Sequence, residues 1–172
     1  GRDLDIAMAT DALMAVQAED GTEAYTRRGD MSISATGLLV NGEGRPVLGD
    51  NGPITIPPVG IPGIAPDGTV TIADPATPDQ PPAEVGRIKL AVWQGSPISK
   101  GLDGLFRVEG GGILPTDEAA TVQVGALEQS NVKTTEVLVE MIDAQRLFAM
   151  RSKVIATARE IDESGAQLMR LG

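Results

Sequence analysis

The sequence predicts a mainly β protein that ends in one long α-helix. An antiparallel β-sandwich or distorted-barrel domain is expected over residues 1–129, followed by a helical assembly segment over residues 130–172. Three observations predict this. All 12 prolines lie at or before Pro115, and only two of the 21 glycines follow Asn131, so the residues that break regular structure are confined to the first part. Within that part, short apolar runs alternate with turns bearing Gly, Pro, Asn or Asp. Beyond Ser130, Leu147, Val154, Ile161 and Leu168 recur every seven residues, a helical spacing.

Taken in order, residues 12–17 are apolar and read as a strand, which Glu19-Asp20-Gly21 ends in a turn before Tyr25-Thr26-Arg27 resumes extended chain. Met31-Ser32-Ile33-Ser34 alternates apolar and polar residues, as a half-buried strand does. Thr36-Gly37 turns the chain into Leu38-Leu39-Val40. Asn41-Gly42 and Gly44-Arg45-Pro46 turn it again before Val47-Leu48. Ile54-Thr55-Ile56 is a further short strand, stopped by Pro57-Pro58. Asp67-Gly68 marks a hairpin leading into Thr69-Val70-Thr71-Ile72. Residues 74–82 carry four prolines and are expected to form an irregular exposed loop. The strongest strand signal is residues 87–93, with Ile88, Leu90 and Val92 on one face. Phe106-Arg107-Val108 and Val122-Gln123-Val124 carry weaker ones.

In the tail, Thr134 or Thr135 is placed to cap the helix, and Glu136 puts negative charge in its first turn. Arg170 places positive charge in the last turn, and Gly165 is an interior weak point costing about 1 kcal/mol against Ala. The expected assembly face begins with Val137, Leu138, Met141 and Ile142. It continues through Leu147, Phe148, Val154 and Ile155 to Ala158, Ile161, Leu168 and Met169. A helix of about 35 residues is roughly 50 Å long. A compact body of this mass is shorter, so residues 137–142 are expected to pack on the β-domain and residues 147–169 on a partner outside it.

Composition narrows the function. The formal charge is −10, and all of it sits in residues 1–129, which hold 18 acids and 8 bases; residues 130–172 hold 6 of each. An acidic body without clustered Lys and Arg argues against nucleic acid and anionic lipid as partners. The tail carries too many charges to insert into a membrane. Cys and His are both absent, which removes disulfides, Cys nucleophiles, imidazole or thiolate metal sites and His acid–base chemistry. No cleavable signal sequence is legible, and a chain opening on Gly1 is read as a fragment.

Four motifs invite a chemical reading. Arg28-Gly29-Asp30 spells an adhesion tripeptide, but a polar hairpin tip is the simpler reading. Asp50-Asn51-Gly52 and Asp67-Gly68 lack the further oxygen ligands of a calcium loop and read as turns. Gly110-Gly111-Gly112 has no following Lys-Ser/Thr and reads as a flexible link rather than a phosphate cradle. Asp103, Glu109, Asp117 and Glu118 are the nearest thing to a carboxylate cluster, but the chain has few aromatic platforms for a sugar. No catalytic residue, metal ligand, cofactor or small-molecule substrate is assigned.

The run Gly21-Thr22-Glu23-Ala24-Tyr25-Thr26-Arg27, with Gly29, Gly37, Leu39-Val40 and Gly44-Arg45-Pro46-Val47-Leu48-Gly49, resembles the bacterial flagellar rod and hook proteins. So does the tail pattern Ser130-Asn131-Val132, Glu140-Met141-Ile142, Gln145-Arg146 and Lys153-Val154-Ile155. Gly52-Pro53-Ile54 and Asp103-Gly104-Leu105-Phe106-Arg107 look most like a proximal-rod member. Met31 stands where an aromatic is common, and Ser34 where Asp is common. The resemblance implies a structural, non-enzymatic subunit that passes unfolded through the flagellar export apparatus without signal cleavage. It implies assembly with itself and other rod subunits into a tube in the periplasm, through paired N-terminal and C-terminal helices under an outward β-domain. Residues 1–7 resemble the point where that β-domain begins, so the N-terminal helix is expected to be missing. Two other readings stand beside this one, besides a distal-rod or hook-type member. An extracellular adhesion module would use the loops 41–51 and 74–82, and a hydrolase would use Asp103 and Glu109.

Overall fold

Fourteen short strands and one helix make up the described residues of the computed structural model, which cover 2–77, 79–129 and 133–170. Helix side chains are described at 135–159 and 161. The strands are β1 (Ile6–Met8), β2 (Leu13–Gln17), β3 (Glu23–Thr26), β4 (Met31–Ile33), β5 (Leu39–Asn41), β6 (Leu48–Gly49) and β7 (Gly52–Pro53). They continue with β8 (Ile61–Ile64), β9 (Thr69–Ala73), β10 (Ala83–Arg87), β11 (Leu90–Ala91), β12 (Ile98–Lys100), β13 (Phe106–Val108) and β14 (Val122–Val124), ahead of α1 (Thr134–Arg170). The chain divides into two units, Gly1–Glu128 and Gln129–Gly172.

Every strand pair in the first unit is antiparallel, so the mainly β class with a single C-terminal helix holds. The barrel alternative does not. The strands form one five-stranded sheet (β11-β2-β3-β13-β12), one three-stranded sheet (β10-β9-β8) and three two-stranded ribbons. Strands of two to five residues, cut by Gly and Pro, are too short to close a continuous sheet.

Strand β2 is the centre of the unit because both of its faces are covered. Met14 and Val16 point into the larger apolar cluster, with Ile6, Met31, Leu39, Val47, Ile88 and Leu90. Leu13 and Ala15 point into a second cluster with Tyr25, Leu48, Ala91 and Leu114. A strand buried on both sides loses its alternation and reads as a plain apolar run. The turn into β3 is shaped by Asp20, whose Oδ1 accepts from the Thr22 amide and hydroxyl at 3.0 and 2.6 Å, while Gly21 takes φ 81°. The same device turns β8 into β9, where Asp67 accepts from the Thr69 amide and hydroxyl at 3.0 and 2.8 Å.

Several expected strands shift. Residues 87–93 do not form one strand: Arg87 ends β10, Ile88 bridges to Gly49, and Leu90–Ala91 joins β2 in the five-stranded sheet. The ladder slips between Glu84 and Gly86, and the chain changes sheets at this corner. Ile88 and Leu90 are buried as expected, but Val92 is only half-buried. Ile54-Thr55-Ile56 is extended and keeps only a single bridge, Leu38 to Thr55. In β4, Met31 is buried while Ile33 stays 40% exposed. The run Ile61-Pro62-Gly63-Ile64 forms β8 despite its Pro and Gly, because β8 is an edge strand paired only with β9.

The entry and exit of this unit are neighbours. Strand β1 pairs with β14, aligning Ile6 with Val124 and Met8 with Val122, and the Gly125 amide donates to the Asp5 carbonyl at 2.7 Å.

The second unit is α1, 37 residues long, hence about 55 Å. The Lys133 carbonyl accepts from Glu136 and Val137 at 2.9 and 3.2 Å, so the cap falls on Lys133. Thr134 and Thr135 lie inside the first turn, not before it. The Lys133 ammonium also reaches the Glu136 carboxylate at 2.9 Å. Gly165 lies within the helix, and Ser130-Asn131-Val132 fall outside the described residues. Among the described residues no helix is long and apolar enough to cross a membrane.

Candidate assembly interface

The apolar residues of α1 form two faces rather than one. Successive residues sit about 100° apart around a helix, so Phe148 and Ile155 cannot share a side with Leu147 and Val154. Val137, Leu138, Met141, Phe148 and Ile155 cluster on one side. Leu147, Met150, Val154, Ala158 and Ile161 cluster about 130° away. The acids Glu136, Glu140 and Asp143 occupy the upstream end of the second face, so the apolar surface changes sides midway along the helix. The apolar groove running along the second face is lined by Met150, Lys153, Val154, Thr157, Ala158 and Ile161.

The expected interface residues on both faces are exposed, up to 74% at Phe148, and Ile142, which lies between the faces, is 40% exposed; Ala158 is exposed as well. A lone helix cannot cover its own stripe, and among the described residues of this unit α1 is the one element. Leu168 and Met169 fall outside the described side chains. Val139 and Met150, 57% and 64% exposed, were missing from the expected set. Met150 was legible: it lies three residues after Leu147 and four before Val154.

In the first unit, the motifs that suggested chemistry are occupied by local structure. Arg28 and Asp30 bind each other in a two-pronged pair, Nε to Oδ1 at 2.7 Å and Nη2 to Oδ2 at 2.9 Å. Arg28 holds the Asp30 carboxyl below its usual range. Gly29 lies against the Ile6 carbonyl with no room for a side chain. The tripeptide is therefore a closed corner and offers no free Arg and Asp. Asp67 is used in its turn, and Gly110, Gly111 and Gly112 all take positive φ beyond β13.

The carboxylates do not converge. Asp103 is gripped by Arg107 at 3.0 and 2.7 Å, which lowers its pKa to about 2. Asp117 accepts from the Ala119 amide at 3.0 Å, and Glu118 offers its backbone carbonyl to Arg87 at 3.1 Å. Among the described residues no three Asp or Glu side chains are placed to hold a metal ion. The loop 41–51 is not a free recognition loop either, because Val47 and Leu48 are core residues. The Asn41 Oδ1 also clamps the amides of Glu43 and Arg45, both at 3.0 Å.

Two polar devices stitch the unit together across long sequence distances. Tyr25 is fully buried. Its hydroxyl donates to Glu23 Oε1 at 2.6 Å and accepts from the Leu114 amide at 2.6 Å, while Lys89 Nζ reaches the same Glu23 oxygen at 2.6 Å. Burial, then the Glu23 carboxylate, raises the Tyr25 pKa. Arg27 Nε meets Glu128 at 2.6 Å, and its Nη1 donates to the carbonyls of Thr10 and Ala12 at 3.1 and 3.2 Å. Arg27 thus ties the last residue of the unit to the connection between β1 and β2.

Two family models match this chain. Residues 7–72 match the flagellar hook protein FlgE/F/G D1 domain, and residues 123–168 match the flagellar basal body rod FlgEFG protein C-terminal region. Among curated relatives, the flagellar basal-body rod protein FlgF of Salmonella typhimurium is 39% identical over 176 residues, covering 99% of this chain and 70% of the relative. FlgF of Escherichia coli is 38% identical with the same coverage. The rod protein FlgG of Bacillus subtilis is 34% identical, covering 99% of this chain and 67% of the relative.

Proposed function

This chain belongs to the flagellar basal-body rod family, most like FlgF, and from that premise we propose that α1 is the segment through which this structural subunit joins its neighbours. The subunit is a component of the flagellar basal body and not an enzyme. It assembles with other flagellar rod and hook-type subunits. In the proposed arrangement, residues 130–172 form the inner packing layer of a periplasmic rod and residues 1–129 the outer domain that sets spacing between neighbours. The subunit reaches that position through the flagellar export apparatus without signal cleavage.

The observation that carries the helix assignment is the pair of exposed apolar faces on α1, from Val137 to Ile161. Burying one Leu- or Phe-sized side chain stabilises by about 1.5–3 kcal/mol, so a few such contacts per subunit hold a polymer. The acidic body opposes self-association, whereas α1 and its flanks are electrically neutral. The pairing of β1 with β14 supports the same reading, because it directs the chain entering the outer domain and the chain leaving it toward one place.

Amide hydrogen exchange tests the assignment. Residues 135–161 should exchange rapidly in dilute monomer, since an unpacked helix is marginal in water, and slowly in isolated basal bodies. Strong protection in the monomer would mean that the helix already has its cover.

A further inference from the structure

Three of the six methionines belong to the first unit and three to the segment that holds α1. Met8, Met14 and Met31 sit inside the larger apolar cluster, 8%, 0% and 1% exposed. Met141 and Met150 are 52% and 64% exposed, and Met169 falls outside the described side chains. Each of the two exposed sulfurs stands within an apolar face. Met141 shares the first face with Val137 and Leu138, and Met150 lies between Leu147 and Val154 on the second, where it also lines the groove. The chain has no cysteine to intercept an oxidant, so thioethers are its sole sulfur groups. Resting on the assembly reading above, we propose that Met141 and Met150 are sites of sulfoxide formation by a small hydroperoxide, and that this oxidation keeps the unassembled subunit out of the rod.

A thioether sulfur reacts through its lone pair and needs no ionisation. It attacks one oxygen of hydrogen peroxide: an S–O bond forms, the O–O bond breaks, and the departing oxygen takes the proton of the attacked hydroxyl and leaves as water. The sulfur gives up two electrons and the peroxide gains them. A flexible apolar side chain thereby becomes a polar one bearing a strong acceptor oxygen. Covered by an apolar surface, that oxygen loses its water and gains no donor, which weakens each contact by about tenfold or more. The effect is the same whatever covers each face. The core methionines escape because their sulfurs are reached only when the β-rich unit opens. In a finished rod both faces are covered on the assembly reading, so the reaction belongs to the subunit before it is incorporated.

Two measurements test this. Purified full-length protein is treated with hydrogen peroxide, and peptide mass spectrometry locates the added oxygen. Met141 and Met150 should be oxidised roughly tenfold faster or more than Met14 and Met31; equal rates, or no oxygen on the two helix residues, overturn the proposal. In motile cells, Met141→Gln with Met150→Gln sets a polar carbonyl near the place of each sulfoxide and should abolish completed rods. Met141→Leu with Met150→Leu keeps both faces apolar without sulfur. That pair should build rods as the parent does and go on building them under a mild peroxide dose that halts new rods in the parent; should the leucines not assemble, the isoleucine pair is read by the same criteria. Peroxide that halts new rods equally in the parent and the sulfur-free pair overturns the proposal. Parent-like rods from the glutamine pair also overturn it, and the assembly reading still stands if Leu147→Asp with Ile155→Asp builds none.

Discussion

Replacing Tyr25 by Phe removes one oxygen from the interior and leaves the ring in place, which makes it a clean probe of how the outer domain is held together. The hydroxyl is the partner of the Leu114 amide at 2.6 Å and of Glu23 at 2.6 Å. The bond to Leu114 is buried, so its N–H is left without a partner and without water. A buried donor stripped of its acceptor costs about 1–3 kcal/mol. Glu23 loses less, since Lys89 still reaches it. For a unit of this size each kcal/mol shifts the midpoint by about 4 °C, so a fall of roughly 4–12 °C is expected on heating. In urea the midpoint should drop with an unchanged slope, because the surface exposed on unfolding is the same. A Tyr25→Phe protein whose midpoints match the parent would refute the reasoning: the strand-to-loop tie would then carry no net stability.

Three further outcomes follow from the same geometry. Tyr25 is the sole tyrosine, so phenolate absorbance reports it alone. Its folded pKa is raised above the ordinary 10.0, so its contribution is present below pH 10 and lost as pH climbs above it; ionisation of the folded protein at the ordinary value would contradict the burial argument. The Asp103 carboxyl should titrate near 2 by NMR and move up toward 3.8 in Arg107→Ala. Its folded pKa is depressed, so its contribution holds above about pH 4 and fades as pH falls toward 2; an unmoved midpoint in Arg107→Ala would show that the ion pair is not the cause. Gly29→Ala should destabilise the domain by about 1–3 kcal/mol in urea unfolding, because a Cβ there meets the Ile6 carbonyl at the β1 corner. Parent-like stability would show that the corner can relax.

How far the sequence can be read depends on how local the determining physics is. Turn chemistry is local, and the turns at Asp20-Gly21 and Asp67-Gly68 lie where side-chain acceptors and left-handed glycines require them. The long helix was legible for the same reason, since breakers are nearly absent from its span. The division of residues 87–93 between two sheets was not, because it depends on Ile88 meeting Gly49 from a distant segment. Strand β1 escaped notice because three residues acquire strand character only from pairing with β14, over a hundred positions later. Along α1, the seven-residue repeat of Leu147, Val154 and Ile161 was plain. Grouping Phe148 and Ile155 with it hid a change of side that shows once each residue is placed around the helix. The closure of Arg28 onto Asp30 could not be read from a tripeptide.

The central claim is that α1 carries assembly while the β-rich unit folds without its help. Leu147→Asp combined with Ile155→Asp places a charge on each apolar face and replaces no core residue of the first unit. Electron microscopy of basal bodies from cells carrying the double variant, read beside the unfolding curve of the purified protein, tests the claim directly. The account predicts a parent-like transition for the β-rich unit, no completed rods and no motility. Normal rods and normal swimming would contradict it.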